Sequence, residues 1–218
     1  MRKIILLWPT VRPKIMFQTY QHWINSSSGS EIAIKIAVNT EEQRGVLRDF
    51  KEVLVLGNDR PGPTWATYCL TKDLVCEDNP IIILVSDDFF SPPNWDTYLL
   101  KEFENYDGAI HVNDGFMHTC VMTIPIMTYN CLQKLNKIIY HPDYKWQYSD
   151  TELYYNLAEL GLVVEKMSTE IVFQHKHYSH GYRSQDEHDV FGNNMSSIDA
   201  ETFKRRMAIP IKERLCVS

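Results

Sequence analysis

Two hydrophobic periods alternate along the first half of the chain. Ile4 to Trp8 and Ile81 to Val85 are unbroken apolar runs, Glu31 to Val38 is a third extended segment, and Val53 to Leu56 is a short fourth. Aliphatic runs of this length, bounded by Pro or polar turn residues, mark strands buried on both faces of a parallel sheet. Between them the spacing changes to that of a helix. From Pro13 to about Trp23, the residues Ile15, Met16, Thr19, Tyr20 and Trp23 fall on one stripe, and a second helix is expected from about Thr64 to Cys76, after the turn-rich stretch from Gly57 to Pro63. Such alternation predicts right-handed crossovers and an α/β domain, with a mostly parallel central sheet flanked by helices.

The pattern continues less regularly. Pro93 to about Asn105 reads as a helix, Ala109 to Val112 and Thr119 to Ile124 as strands, and Pro125 as the first turn of a helix reaching about Asn136. Ser149-Asp150-Thr151-Glu152 has the form of a capping box, with Ser149 as N-cap, opening a helix that carries Leu153, Leu157 and Leu160 on one face and stops at Gly161. Short strands are expected at Leu162 to Lys166 and Glu170 to Phe173. The tail from Gly181 reads as two short helices divided at Gly192-Asn193-Asn194.

Composition narrows the class. At 218 residues the chain suits one domain, or one domain with a tail, and its twelve Tyr and five Trp exceed what a disordered chain carries. The formal charge of -6 offers no general basic footprint, which disfavours nucleic acid as a partner. Five cysteines without paired CxxC spacing are expected as reduced thiols of a cytoplasmic protein. The apolar start, Ile4 to Trp8, is ended by Pro9, too short for a signal peptide or a membrane span. Lys204-Arg205-Arg206, with Lys212 and Arg214, reads most simply as a solvated helix face.

Candidate chemistry concentrates in three places. Asp87 and Asp88 follow the Ile81 strand directly, and in open α/β sheets ligands bind at that carboxyl edge; the alternative is a solvated turn before Ser91-Pro92-Pro93. In Phe173-Gln174-His175-Lys176-His177, an extended backbone turns His175 and His177 to one face, so that either or both could meet a metal held by Asp88. Asp and His together with phosphate oxygens suit Mn²⁺ or Mg²⁺ better than a structural zinc. Asp150, first inside the capped helix, is expected to be ionised by the helix dipole and able to take a proton from a hydroxyl, or else merely to complement that dipole. Neither a GxGxxG fingerprint, a P-loop nor a GxSxG elbow is present.

Taken in order, Trp8-Pro9-Thr10-Val11-Arg12 after the first strand, the Leu56 to Gly62 turn, Val85-Ser86-Asp87-Asp88, Ser149-Asp150-Thr151-Glu152-Leu153 and the later histidines resemble the GT-A-fold glycosyltransferases, especially the family 2-like members. The likeness spans roughly residues 3 to 180. It implies a single GT-A-like, Rossmann-like α/β domain over 1–180, with 181–218 as a helical extension packed on it. It also implies metal-dependent transfer of a sugar from a nucleoside diphosphate sugar, UDP-sugar favoured, to an acceptor hydroxyl, with inversion. In this resemblance Asp88 and His175 or His177 hold Mn²⁺ or Mg²⁺ and Asp150 is the base. Pro9, Thr10, Arg12, Asn39, Asn58, Ser86 and Asp87 contact the nucleotide sugar. Ser86 stands at the first position of the DxD-type motif, which moves ribose or sugar recognition toward Asp87. His111, Asn113, Asp114 and Trp146 are expected at the sugar or acceptor, although Asn113-Asp114-Gly115 also fits an ordinary polar turn. Trp146 belongs to the aromatic tract Tyr140 to Tyr148, whose rings suit stacking on a sugar or base and equally suit a core.

Three other readings use the same residues. One is a non-catalytic nucleotide-sugar or glycan-binding module. Another is a metal-dependent hydrolase built on Asp88, His175, His177 and His180. The third is a nucleotidyltransferase, for which the turn from Trp8 to Lys14 lacks the expected glycines.

Overall fold

The computed structural model describes residues 2–57, 62–116, 119–167 and 169–217. β1 (Ile4–Pro9) leads into α1 (Pro13–Asn25), where Pro13 occupies a first-turn position that has no intrahelical use for an N–H. Next come β2 (Ile32–Val38), α2 (Glu41–Val46), β3 (Val53–Val55), α3 (Pro63–Thr71), β4 (Ile81–Leu84), a two-residue β5 (Phe89–Phe90) and α4 (Trp95–Glu102). β6 (Ala109–Val112), β7 (Ile126–Thr128), α5 (Tyr129–Lys134), α6 (Ser149–Glu159), β8 (Val163–Lys166) and β9 (Gln174–His175) complete the sheets. The tail forms α7 (Glu187–Asn194), α8 (Ser196–Met207) and α9 (Ile211–Arg214). Among the described residues the main sheet has the order β3-β2-β1-β4-β7-β6-β8, and β5 pairs with β9 in a separate ribbon. β7 runs antiparallel to its neighbours β4 and β6, and the other pairs of the main sheet are parallel.

The continuous apolar runs are explained by burial on both faces. Ile4, Leu6 and Trp8 join Ile81, Ile83 and Val85 in a core under α1 and α4, with Trp23, Trp95 and Phe103. Ile5, Leu7, Ile82 and Leu84 join Leu70, Met127, Leu132, Leu153 and Leu157 on the opposite face. α1 places Met16, Thr19 and Trp23 inward, whereas Ile15, expected on the same stripe, is 43% exposed.

Several expected elements shift, each for a physical reason. Residues 119–124 are not a strand; the strand begins after Pro125, whose carbonyl accepts the Leu84 N–H at 2.9 Å, and Ile126 and Met127 are fully buried between β4 and β6. Pro125 therefore ends a turn and does not open a helix, and α5 starts at Tyr129 with the Thr128 hydroxyl accepting the Cys131 N–H. The strand expected at Glu170 to Phe173 is instead the two residues that follow it, as β9. The α3 and α4 helices are shorter than expected, and α4 is entered through Asn94 in the left-handed region (φ 56°). α2 is an addition, with a reciprocal capping box between Thr40 and Gln43 that the Thr-x-x-Gln spacing announces. In the tail, Gly192-Asn193-Asn194 forms the last turn of α7, so the expected division between two helices falls one residue later, at Met195, and a third helix, α9, follows.

The α6 capping box does not form. Tyr148, in the left-handed region (φ 64°), takes the N-cap position, Ser149 is the first helical residue, and no side chain caps the end. Glu152 turns inward instead. Its carboxylate accepts from Arg206 Nε at 2.8 Å, Arg206 Nη2 at 2.7 Å and the Tyr144 hydroxyl at 2.6 Å. Arg206 and Arg214, read from sequence as part of a solvated face, are 4% and 3% exposed, and Arg214 donates to Asn156 Oδ1 at 2.8 Å and pairs with Glu159. These pairs dock α8 and α9 onto α6. Removing one partner of a buried, hydrogen-bonded ion pair leaves an uncompensated charge, so Arg206→Met is expected to destabilise the chain by about 3–5 kcal/mol in urea unfolding. A loss below about 1 kcal/mol, the worth of an exposed pair, would contradict this account. Among the described residues, no helix is long and apolar enough to cross a membrane.

Candidate active site

The C-terminal ends of β1, β2 and β4 meet at one edge of the sheet, where a cleft of about 470 Å³ opens. Pro9, Arg12, Ser86, Asp88, Trp146, Asp150, His175 and His177 all line it. A smaller recess of about 70 Å³ adjoins it and adds Thr10, Asn39 and Asp87, while sharing Pro9, Arg12, Ser86 and Trp146. Asn58 lies outside the described residues.

The two adjacent carboxylates face different surroundings. Asp87 turns into the protein, accepting from Trp8 Nε1 at 3.0 Å and from the Thr10 hydroxyl at 2.8 Å. Its own carbonyl accepts from the Thr19 hydroxyl at 2.6 Å, and Trp23 Nε1 donates to the Phe89 carbonyl at 2.8 Å. The 86–90 turn is thereby pinned to β1 and α1. Burial pushes the Asp87 carboxyl up to about 7, against the two hydrogen bonds, and the Asp88 charge adds to the rise. Asp87, expected at a ribose or sugar, thus has both oxygens engaged by its own chain. Asp88 opens onto the cleft. Burial opposes its charge, but His175, Ser86 and His177 outweigh that cost and hold it down at about 2.

The histidines reach Asp88 through the β5–β9 ribbon. Phe89 lies opposite His175, and Lys176 N–H donates to the Asp88 carbonyl at 2.8 Å. On the other side, Phe173 N–H and His175 N–H donate to the carbonyls of Asn113 (2.8 Å) and Asp114 (3.0 Å). The segment is therefore held between two turns, and its alternation sends His175 and His177 toward one face. Ligand atoms of Asp88, His175 and His177 lie within 4.8 Å of one another. Two observations test whether a divalent ion fits. Asp88 Oδ1 is buried with no hydrogen-bond partner, and burial together with the His175 charge pushes the His177 imidazole down to about 4, leaving it neutral and able to donate a lone pair. The residues fit such an ion, and two imidazoles with one carboxylate suit a first-row cation such as Mn²⁺ better than Mg²⁺. His180 stands outside this cluster, stacked on Phe116 with ring centroids 3.4 Å apart.

Asp150 lines the same cleft at the start of α6, accepting the Thr151 N–H at 2.8 Å. Burial raises its pKa above the ordinary carboxylate range, opposed by the hydrogen bonds from Thr151 and its own N–H. The direction is opposite to the lowering that the helix terminus alone would give, because desolvation in the cleft outweighs the local dipole. Tyr140, Trp146 and Tyr148 wall the cleft beside it. The loop that carries Trp146 is fixed by a residue that sequence reasoning missed: Asp199 of α8, fully buried, accepts three successive N–H groups from Lys145, Trp146 and Gln147 at 2.8, 2.8 and 2.7 Å. Gly192 lets α7 pack flat on the indole, since a Cβ there would lie 2.5 Å from Trp146 Nε1.

His111, Asn113 and Asp114, expected at the sugar or acceptor, line neither cavity. His111 is 3% exposed and bonded to Glu165 (2.8 Å) and to the Val121 carbonyl (2.9 Å). Asn113 and Asp114 form the polar turn, with Asn113 Oδ1 accepting the Gly115 N–H and Asp114 Oδ2 the Thr123 hydroxyl. Their contribution is the backbone grip on residues 173–175. Arg12, expected at a base or phosphate, does line the cleft but is paired with Asp186 (2.7 Å) and Asp189 (3.1 Å) at the tail. Those two acids are the N-cap and third residue of α7 and form its capping box, a spacing that signals a helix start and not a site, and Arg183 pairs with both.

The mostly parallel α/β sheet, with the cleft at the C-terminal ends of its strands, is consistent with a GT-A, Rossmann-like fold. No protein-family model matches the sequence, and no curated protein matches it. Solved structures do match. S. aureus TarS in complex with UDP-GlcNAc is 13% identical with a TM-score of 0.61, covering 86% of this chain and 60% of its own. A mannosyltransferase from Pyrobaculum calidifontis in complex with GDP-Man and Mn²⁺ is also 13% identical at a TM-score of 0.61, covering 84% of this chain and 59% of its own. The chain thus spans about three-fifths of the TarS 1-349 chain and of the mannosyltransferase. The 4-diphosphocytidyl-2C-methyl-D-erythritol synthase from Anaerococcus prevotii matches at 8% identity and a TM-score of 0.52, over 88% of this chain and 95% of its own. Likeness at this identity establishes the fold, and the chemistry has to be argued from the site.

Proposed function

We propose that this chain is a metal-dependent glycosyltransferase that moves a sugar from a nucleoside diphosphate sugar to an acceptor hydroxyl, with inversion at the anomeric carbon. The observation that carries this reading is that the Asp88, His175 and His177 cluster and the separate carboxylate of Asp150 line one cleft. An ion held by the cluster would supply Lewis-acid neutralisation of the departing diphosphate. Pro9, Thr10, Asn39 and Ser86, at the strand ends, bound the nucleotide region. Asp150 takes the proton of the acceptor hydroxyl, which attacks from the face away from the diphosphate and so inverts the centre. Trp146 and Tyr148 provide flat faces on which an acceptor sugar can lie.

UDP-sugars are the first donors to test; the structural neighbours bind UDP-GlcNAc in one case and GDP-Man in another. The nucleotidyltransferase reading shares the fold, but its phosphate-cradling turn has no counterpart between Pro9 and Pro13, where no glycine occurs. A hydrolase reading built on four ligands has less support, because His180 stacks on Phe116 and is not among the residues whose ligand atoms converge. Thermal unfolding with a panel of nucleotide sugars, with and without Mn²⁺, tests the proposal. A donor at a hundred times its Kd stabilises by about 2.7 kcal/mol, an upward Tm shift of roughly 5–10 °C for a domain of this size. Absence of a shift with every donor would count against it.

A further inference from the structure

The tail brings to the metal cluster a cation that the proposed reaction has not used. Arg183 lines the main cleft, its Nη2 is 3.7 Å from Asp88 Oδ2, and its side chain is one-quarter exposed. The guanidinium is held in place. Asp189, whose side chain is 5% exposed, accepts from Nη2 at 2.9 Å and from Nη1, and the Ser184 carbonyl accepts from Nη1 at 3.1 Å. Asp189 is fixed in turn by the Asp186 N–H at 2.9 Å and by Arg12 at 3.1 Å. The Tyr178 ring lies beside the guanidinium, its centroid 5.5 Å from Cζ. These contacts occupy one edge of the fork and leave N–H donors over.

A planar cationic fork, anchored on a buried carboxylate and half open to a cleft, is built to grip a phosphate group bidentately. Beside Asp88 it can reach an anion bound to the same cluster. We infer that Arg183 is a binding residue for the diphosphate of the donor, with Asp189 fixing its fork. The identity of the ligand rests on the glycosyl-transfer reading; the cationic seat rests on the contacts above. A purely structural role, tethering α7 through Asp189, would make no distinction between one phosphate and two.

Calorimetric titration in the presence of Mn²⁺ separates these possibilities. The unaltered chain, Arg183→Gln and Arg183→Lys are titrated with UDP, GDP, CDP and ADP, and with the matching monophosphates, while thermal unfolding of each variant is followed alongside. Loss of a charge-assisted bidentate contact is expected to weaken diphosphate binding by Arg183→Gln about 10- to 100-fold, with monophosphate affinity changed less than about threefold. Arg183→Lys, which keeps charge and loses the fork, is expected to lose less. Where Arg183→Gln does not fold, the same ratio of diphosphate to monophosphate affinity in Arg183→Lys decides. Equal affinities, or equal losses for both ligand classes, overturn Arg183 as a diphosphate residue while leaving glycosyl transfer standing. Failure of the unaltered chain to bind any of the diphosphates overturns that reading and this inference together.

Discussion

Replacing Asp88 by alanine is expected to abolish Mn²⁺ binding at the cluster and to lower sugar transfer at least about 10³-fold. The effect follows from the local role of the Asp88 side chain. It is the carboxylate of a set whose other members are imidazoles, its Oδ1 is buried with no internal hydrogen-bond partner, and its pKa near 2 keeps it ionised through the physiological range. Asp88→Asn keeps the shape but removes the charge, and should lose nearly as much. Chelation of divalent ions from the unaltered protein is expected to stop transfer, and added Mn²⁺ to restore it. Metal titration by calorimetry, read beside a transfer assay, checks both. Full transfer by the alanine variant, or by the chelated protein, would sink the metal-dependent mechanism.

The second large effect belongs to Asp150. Asp150→Asn is expected to lower kcat by about 10²–10⁴-fold, with little change in KM for the donor, because the lost interaction is made only as the acceptor proton moves. The pH profile carries a further signature. A base works only when ionised, and burial raises the Asp150 pKa above its ordinary value. The acid limb of kcat should therefore lie above the usual carboxylate range: activity falls as pH drops through the raised pKa and reaches a plateau above it. The asparagine variant should lack that limb. A variant with unchanged kcat, or one that keeps the limb, would remove Asp150 from the role of base.

Parts of the fold and site are legible in the hydrophobic pattern alone. The Ile81 to Val85 run has one physical solution, a strand buried on both faces, and the structure places it at the centre of the sheet with its acidic end at the cleft. Spacing also put His175 and His177 on one face, which needed only an extended backbone. Other signals were local and had a local competitor. Ser149 and Glu152 have the spacing of a capping box, but Glu152 gains more from Arg206 and Tyr144, which are 54 and 8 residues away, than from a terminal N–H. Pro125 fits a helix start, yet the buried Ile126 and Met127 complete the sheet between β4 and β6. Asp199 leaves no trace in the sequence at all, since three N–H groups that converge on one carboxylate do so only after α8 docks.

The chain by itself determined where the parallel strands of the main sheet lie, that they alternate with helices, and that carboxylates and histidines fall at strand ends, because burial and backbone period act over a few neighbouring residues. The tertiary structure decided which of those groups share a cleft and in what electrostatic state. Asp87 and Asp88 are adjacent in sequence, yet one is pushed up to about 7 and the other held at about 2. Desolvation and partner charge set that difference, and both depend on residues from β1, β9 and the tail that only folding brings alongside.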